Sequence, residues 1–182
     1  AWDMPTGTGM VLSRGGQGYA IPPAPTADGR RVLVRGQKGF APDVIAVIEP
    51  ATGREVRSIP LADVAEGVPG YPLLRELALT PDGRTAVGIV LVRVAADGTT
   101  ADVVARWDVA SGKLRLSAES TCKEAYSVDW SPKGDVLATS GRGGKLVLWE
   151  PERMTKLKEL DAGFWVIQVR FTADGGRLLG AR

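Results

Sequence analysis

The chain contains no histidine and no asparagine, and its single cysteine is Cys122. Without histidine there is no Ser-His-Asp or Cys-His nucleophile system and no imidazole-held zinc or iron. Without asparagine there is no N-glycosylation acceptor. One cysteine cannot close an internal disulfide, which fits a reducing compartment, so a cytoplasmic location is expected. An excess of charge of either sign is also missing: 23 Lys and Arg stand against 21 Asp and Glu among 182 residues. That leaves no polybasic footprint for nucleic acid or an anionic membrane surface. The longest apolar stretch, Ala86–Val92, falls far short of the ~18 residues that a membrane helix needs. The opening Ala1-Trp2-Asp3-Met4-Pro5 has neither a basic nor an apolar leader segment. It also lacks an initiating Met, so the chain is expected to be a piece of something longer.

What is present is ordinary globular composition, 44% apolar and 24% charged, organised as an internal repeat. One unit recurs four times, as Thr26-Ala27-Asp28-Gly29, Thr80-Pro81-Asp82-Gly83, Ser131-Pro132-Lys133-Gly134 and Thr172-Ala173-Asp174-Gly175. Its glycines are 54, 51 and 41 residues apart. A second unit interleaves with it: Trp2-Asp3, Ile48-Glu49, Trp107-Asp108 and Trp149-Glu150, the first three followed by Gly7, Gly53 and Gly112. Each (Ser/Thr)-(Pro/Ala)-(Asp/Lys)-Gly reads as a tight turn whose glycine supplies a positive φ. A β-rich run follows each turn, at 31–35, 85–94, 135–140 and 177–180. Second runs at 44–48, 103–108 and 146–149 end in the aromatic-acidic pair or its Ile-Glu counterpart. Third runs follow at 55–59, 113–117 and 156–160. No segment shows helical periodicity, so the pattern predicts an all-β fold.

Over Ser127–Ser140 and Leu146–Glu150 these residues resemble the WD-repeat β-propeller family. The resemblance covers essentially the whole chain and is strongest from Ser127 to Leu160. It implies a β-propeller in which each repeat supplies a four-stranded blade, with the strands running from the inside outward. Counting strands in that order gives three complete blades plus two half-blades. Residues 1–16 end one blade, 17–62, 71–118 and 123–161 are blades, and 163–182 begin another. The two halves would either close a four-bladed ring or belong to a larger ring from which neighbouring blades are missing; the second is favoured. Exposed sheet edges would then meet neighbouring blades of a parent chain or promote self-association. The second blade is lengthened at Val92–Thr100, with Asp97-Gly98 expected at the tip of a hairpin.

The sequence also departs from the family pattern. The family's buried His-Asp-Ser/Thr-Trp network is expected not to form, because histidine is missing and Gly143 or Gly144 stands where the aspartate would be. Stability is then expected to rest on apolar packing between blades.

Most candidate sites read as structure. The tryptophans of the repeat are expected to fill space between blades, and each following acid to meet its turn. Cys122, beside Lys123, reads as a structural thiol. Gly141-Arg142-Gly143-Gly144-Lys145 and Gly7-Thr8-Gly9 lack the remaining residues of phosphate-binding loops and read as turns. Asp97 and Asp102 offer too few oxygens for calcium and read as a solvated hairpin. The pairs Asp28/Arg30 and Asp82/Arg84 read as solvent corners, and Pro22-Pro23-Ala24-Pro25 as a stiff lead-in to the first turn.

The family resemblance implies a partner-binding rim at the start of each innermost strand. Aligned on this sequence, those places fall at Ile21, Arg75, Tyr126 and Ile167, with Arg142 in the following turn and Trp165 just ahead of its strand. Arg, Tyr and Trp are the types enriched at binding hot spots. The expected function is a non-catalytic scaffold that binds one or more proteins, with no cofactor and no metal. Two rivals are an enzymatic propeller of lactonase or quinoprotein type, and a regulatory module fused to a signalling kinase or protease. The former would need a carboxylate cluster around a central metal, and no such set recurs on the expected inner strands. The abundance of Ala, Arg and Gly points by association to a GC-rich bacterial gene.

Overall fold

A computed structural model describes residues 21–26, 28–36, 44–65, 72–93, 99–120, 122 and 124–182. The expected half-blade at 1–16, the hairpin tip Asp97-Gly98, Lys123 and Gly7-Thr8-Gly9 lie outside them.

The corner turns share one hydrogen-bond set. The carbonyls of Thr26, Thr80, Ser131 and Thr172 accept the glycine N–H at 2.8–2.9 Å. Each threonine hydroxyl donates to the aspartate two residues on, at 2.5–2.6 Å. That aspartate accepts the N–H of Arg30, Arg84 or Gly176. In the third turn Lys133 takes the aspartate's place, and the acid has moved to Asp135, which accepts from the Ser131 hydroxyl at 2.7 Å. The four glycines have φ between 66° and 73°, where a Cβ would crowd the following carbonyl.

Each turn reverses the chain into an antiparallel meander, and the strands follow one another in chain order. The first sheet holds β1 (Ala24–Pro25), β2 (Val32–Gly36), β3 (Val44–Glu49) and β4 (Arg54–Pro60). The second holds β5 (Leu73–Leu79), β6 (Thr85–Arg93), β7 (Thr100–Asp108) and β8 (Leu114–Glu119). The third holds β9 (Ala125–Trp130), β10 (Leu137–Gly141), β11 (Lys145–Glu150) and β12 (Thr155–Asp161). A two-stranded sheet, β13 (Gln168–Phe171) and β14 (Leu178–Ala181), ends the chain. The β6–β7 ladder runs out to the pair Arg93–Thr100, which makes these the longest strands among the described residues. Those residues hold one 3₁₀ turn, Ala62–Ala65, and no α-helix. No helix among them is long and apolar enough to cross a membrane.

The first strands of successive sheets touch, β1 with β5, β5 with β9 and β9 with β13. The fourth strands are mostly exposed. The sheets therefore fan outward from their first strands as the blades of a β-propeller. Apolar faces fill the space between blades. Alternation splits β6 between two cores: Ala86 and Val90 join Leu33, Ile45 and Ile59 on one side, and Val87 and Ile89 join Leu137 and Val147 on the other.

Trp149 and Trp107 occupy the same register position, opposite Leu137 and Ala86 respectively, yet they are held differently. Buried Trp149 donates from Nε1 to the Thr139 hydroxyl at 2.9 Å. The Cys122 Sγ lies 3.7 Å from that same hydroxyl. This buried hydrogen bond adds to the packing and corrects the expectation that apolar packing acts alone. In the second blade the Thr139 position is taken by Gly88, and the buried Trp107 Nε1 has no hydrogen-bond partner. A Cβ at Gly88 would come within 2.8 Å of Leu74 Cδ1 and 3.2 Å of Trp107 Cζ3, so the glycine makes room for the indole.

The acids after this position hold the next turn. Asp108 accepts the N–H and hydroxyl of Ser111 at 2.7 and 2.6 Å, and Glu150 accepts the N–H groups of Glu152 and Arg153. These bonds from Ser111, with Arg115 3.2 Å away, hold the Asp108 carboxyl down at about 2.

Candidate functional site

A groove opens at the ends of the blades opposite the corner turns, where β5 and β9 begin. Both strands carry a bulge there. The β5–β6 pairing jumps from Leu74–Val90 to Glu76–Ile89 and leaves Arg75 unpaired. The β9–β10 pairing jumps from Ser127–Ser140 to Ala125–Gly141 and leaves Tyr126 unpaired. A bulge redirects the extra side chain, and here it does so at the same phase in two successive blades. Ile167 holds that phase ahead of β13, with its N–H on the Ala181 carbonyl at 2.9 Å.

Arg75, Tyr126, Arg142 and Ile167 line one groove of about 640 Å³, together with Arg35, Leu73, Leu74 and Glu124. Trp165 does not line it, but the Arg142 guanidinium lies 4.3 Å from its ring centroid. Trp165 and Ile167 are 53% and 52% exposed. Ile21, the last of the six rim residues read from the sequence, stands apart and packs half-buried against the first core.

Two acids absent from the sequence-derived set organise the groove. Glu124 has a left-handed backbone, with φ at 44°. Its carboxylate accepts the Tyr126 hydroxyl at 2.8 Å and Arg142 at 3.1 Å. These partners, Tyr126 first, hold its carboxyl below the ordinary range. The same pairing pushes the Tyr126 hydroxyl and the Arg142 guanidinium up. Asp102, on β7, is 8% exposed, which corrects its reading as part of a solvated hairpin. One of its oxygens accepts the Ala125 N–H at 2.8 Å, and the other lies 3.2 Å from Arg75 Nε. Burial pushes its carboxyl up, against the backbone N–H and Arg75. Arg75 in turn lies 5.7 Å from the Tyr126 ring centroid. The result is a continuous chain, Asp102–Arg75–Tyr126–Glu124–Arg142–Trp165, that joins three blades.

A second cluster sits on the inner strands. The sequence pattern showed no recurring carboxylates there, yet the fold places Glu76 on β5 and Asp129 on β9 close to Arg170 of β13. Arg170 lies 3.3 Å from Glu76 and donates to the Ser127 hydroxyl at 3.1 Å. Asp129 accepts the Phe171 N–H at 2.7 Å. Burial is the main cause raising both carboxyls. These groups tie blades together and are engaged with one another. Among the described residues no three His, Cys, Asp or Glu side chains gather as a metal site.

Cys122 is buried, and burial pushes its thiol up. Residues 141–145 form the β10–β11 turn, in which Gly144 has φ 71°.

No family model matches the sequence, and no curated protein matches it. Solved structures do match, 821 chains of them. One is the hydrazine synthase of Kuenenia stuttgartiensis, with a TM-score of 0.67 and 16% identity. The match covers 87% of this chain and 54% of that one, so this chain spans about half the neighbour's length. At that identity the likeness shows the fold alone.

Proposed function

We propose that this chain is a propeller segment of WD-repeat type that acts as a non-catalytic platform for protein binding. The observation that carries the proposal is the convergence of equivalent rim positions. Arg75, Tyr126 and Ile167 stand at one phase of three successive blades, and with Arg142 they share a single groove. Rigid strands hold them, and bulges aim two of them. Arg and Tyr present planar donors and aromatic faces at small entropic cost, which suits protein recognition. The WD-repeat assignment is supported by the recurring corner turn and by the buried Trp149–Thr139 bond. The inner-strand carboxylates Glu76 and Asp129 are engaged by Arg170 and the Phe171 N–H, which favours a scaffold over an enzyme.

The test is site-specific photo-crosslinking in cell extract, with a benzophenone amino acid at position 126 and, as control, at Leu157 on the exposed β12. Adducts are expected at 126 and not at 157, and Arg75→Ala is expected to abolish them. Equal adducts at both sites, or adducts indifferent to Arg75→Ala, would overturn the proposal.

A further inference from the structure

The geometry points to a narrower partner for the rim groove: an extended protein segment carrying an acidic side chain beside an apolar one. This rests on the reading of the rim as a protein-binding face.

Charge complementarity carries the first half. Three guanidinium groups, Arg35, Arg75 and Arg142, stand against two carboxylates, Glu124 in the groove wall and Asp102 behind Arg75. Glu124 is already taken up by Tyr126 and Arg142. The buried Arg75 Nε has no hydrogen-bond partner, although Asp102 Oδ1 stands 3.2 Å away. That contact is ionic and poorly aligned, so it does not use up the guanidinium. A guanidinium fork in a partly desolvated wall pairs best with a carboxylate, through two parallel N–H···O bonds. The Asp102 charge behind Arg75 fixes its position without blocking the groove.

The second half comes from the groove's apolar side. Leu73, Leu74 and Ile167 line it beside the arginines, and Ile167 is half exposed. In an extended segment, residues two apart lie on one face ~7 Å from each other. A carboxylate at one of them and a Leu- or Phe-like side chain at the other match the arginine and leucine sides of the groove.

The experiment uses fluorescein-labelled octapeptides in a Gly-Ser frame, with Asp or Glu two residues from Leu or Phe. Matched sets carry Lys in place of the acid. Each is titrated into the 182-residue chain and read by fluorescence anisotropy. Acidic-apolar peptides are expected to bind, and the Lys sets to bind about tenfold or more weakly. Arg75→Gln and Arg142→Gln are each expected to weaken binding about tenfold. Arg142 is surface-placed, so its variant tests recognition even if Arg75→Gln perturbs folding. Binding is expected to weaken several-fold as salt rises from about 0.05 to about 0.3 M. Equal binding of acidic and Lys peptides, or no binding at all, overturns the inference. If cross-links form at position 126 while no acidic peptide binds, the rim reading survives and this specificity fails. If neither occurs, both fail.

Discussion

The two equivalent tryptophans provide an internal comparison at the residue scale. Trp149 spends its N–H on Thr139, whereas Trp107 buries its N–H without a partner. Replacing either by Phe removes similar volume, but only Trp149→Phe also deprives Thr139 of its donor. Urea unfolding should therefore show Trp149→Phe to be the more destabilising by about 1 kcal/mol. A reversed order would mean that the hydrogen bond is not what distinguishes the two sites. Asp108 supplies a pH signature. Its folded value, about 2, lies below the ordinary 3.8, so the folded state binds fewer protons than the unfolded chain. The resulting stability is present above 3.8 and is lost as pH falls through about 2. The melting temperature of the wild type should exceed that of Asp108→Asn at pH 5, and the gap should close toward pH 2. A constant gap would show that the Ser111 contacts matter through geometry and not charge.

The corner turns belong to the scale of elements. Gly29 and Gly83 have the same backbone, with φ at 66° and 68°, but different neighbours. A Cβ at Gly29 meets nothing within 4 Å, whereas one at Gly83 meets Thr26 Cγ2 of the preceding blade at 3.1 Å. Gly29→Ala should cost about 1–2 kcal/mol from backbone strain alone, and Gly83→Ala more, as read by chemical denaturation. Equal losses would mean that the two turns do not press on each other. These turns were legible because their chemistry is local: a hydroxyl, an acid and a glycine within five residues determine the geometry. The rim residues rested on the family resemblance instead, because nothing local to them marks a binding face. The bulges at Arg75 and Tyr126 were not legible, because a bulge is a mismatch with a partner strand and leaves no mark on its own strand. Asp102 and Glu124 were missed because their roles depend on Arg75 and Arg142, 27 and 18 residues away along the chain. The Thr139–Trp149 bond is not legible in the sequence because it depends on two residues of neighbouring strands meeting in register.

For the whole molecule, the governing fact is that each blade leans chiefly on the one before and the one after. The Arg170–Glu76 bridge reaches past one blade to the next. Among the described residues, the two large cores each lie between neighbouring sheets. Stability should therefore be graded along the chain, lowest where a sheet has two strands among the described residues. Amide protons of Val169–Phe171 in β13 should exchange with deuterium well before those of Leu137–Gly141 in β10, and uniform rates would contradict this gradient. In such an assembly, mechanical or thermal damage would spread from the sheet with fewest strands, and a rim groove spanning three blades would lose its Ile167 wall while its Arg75 and Tyr126 walls still stood.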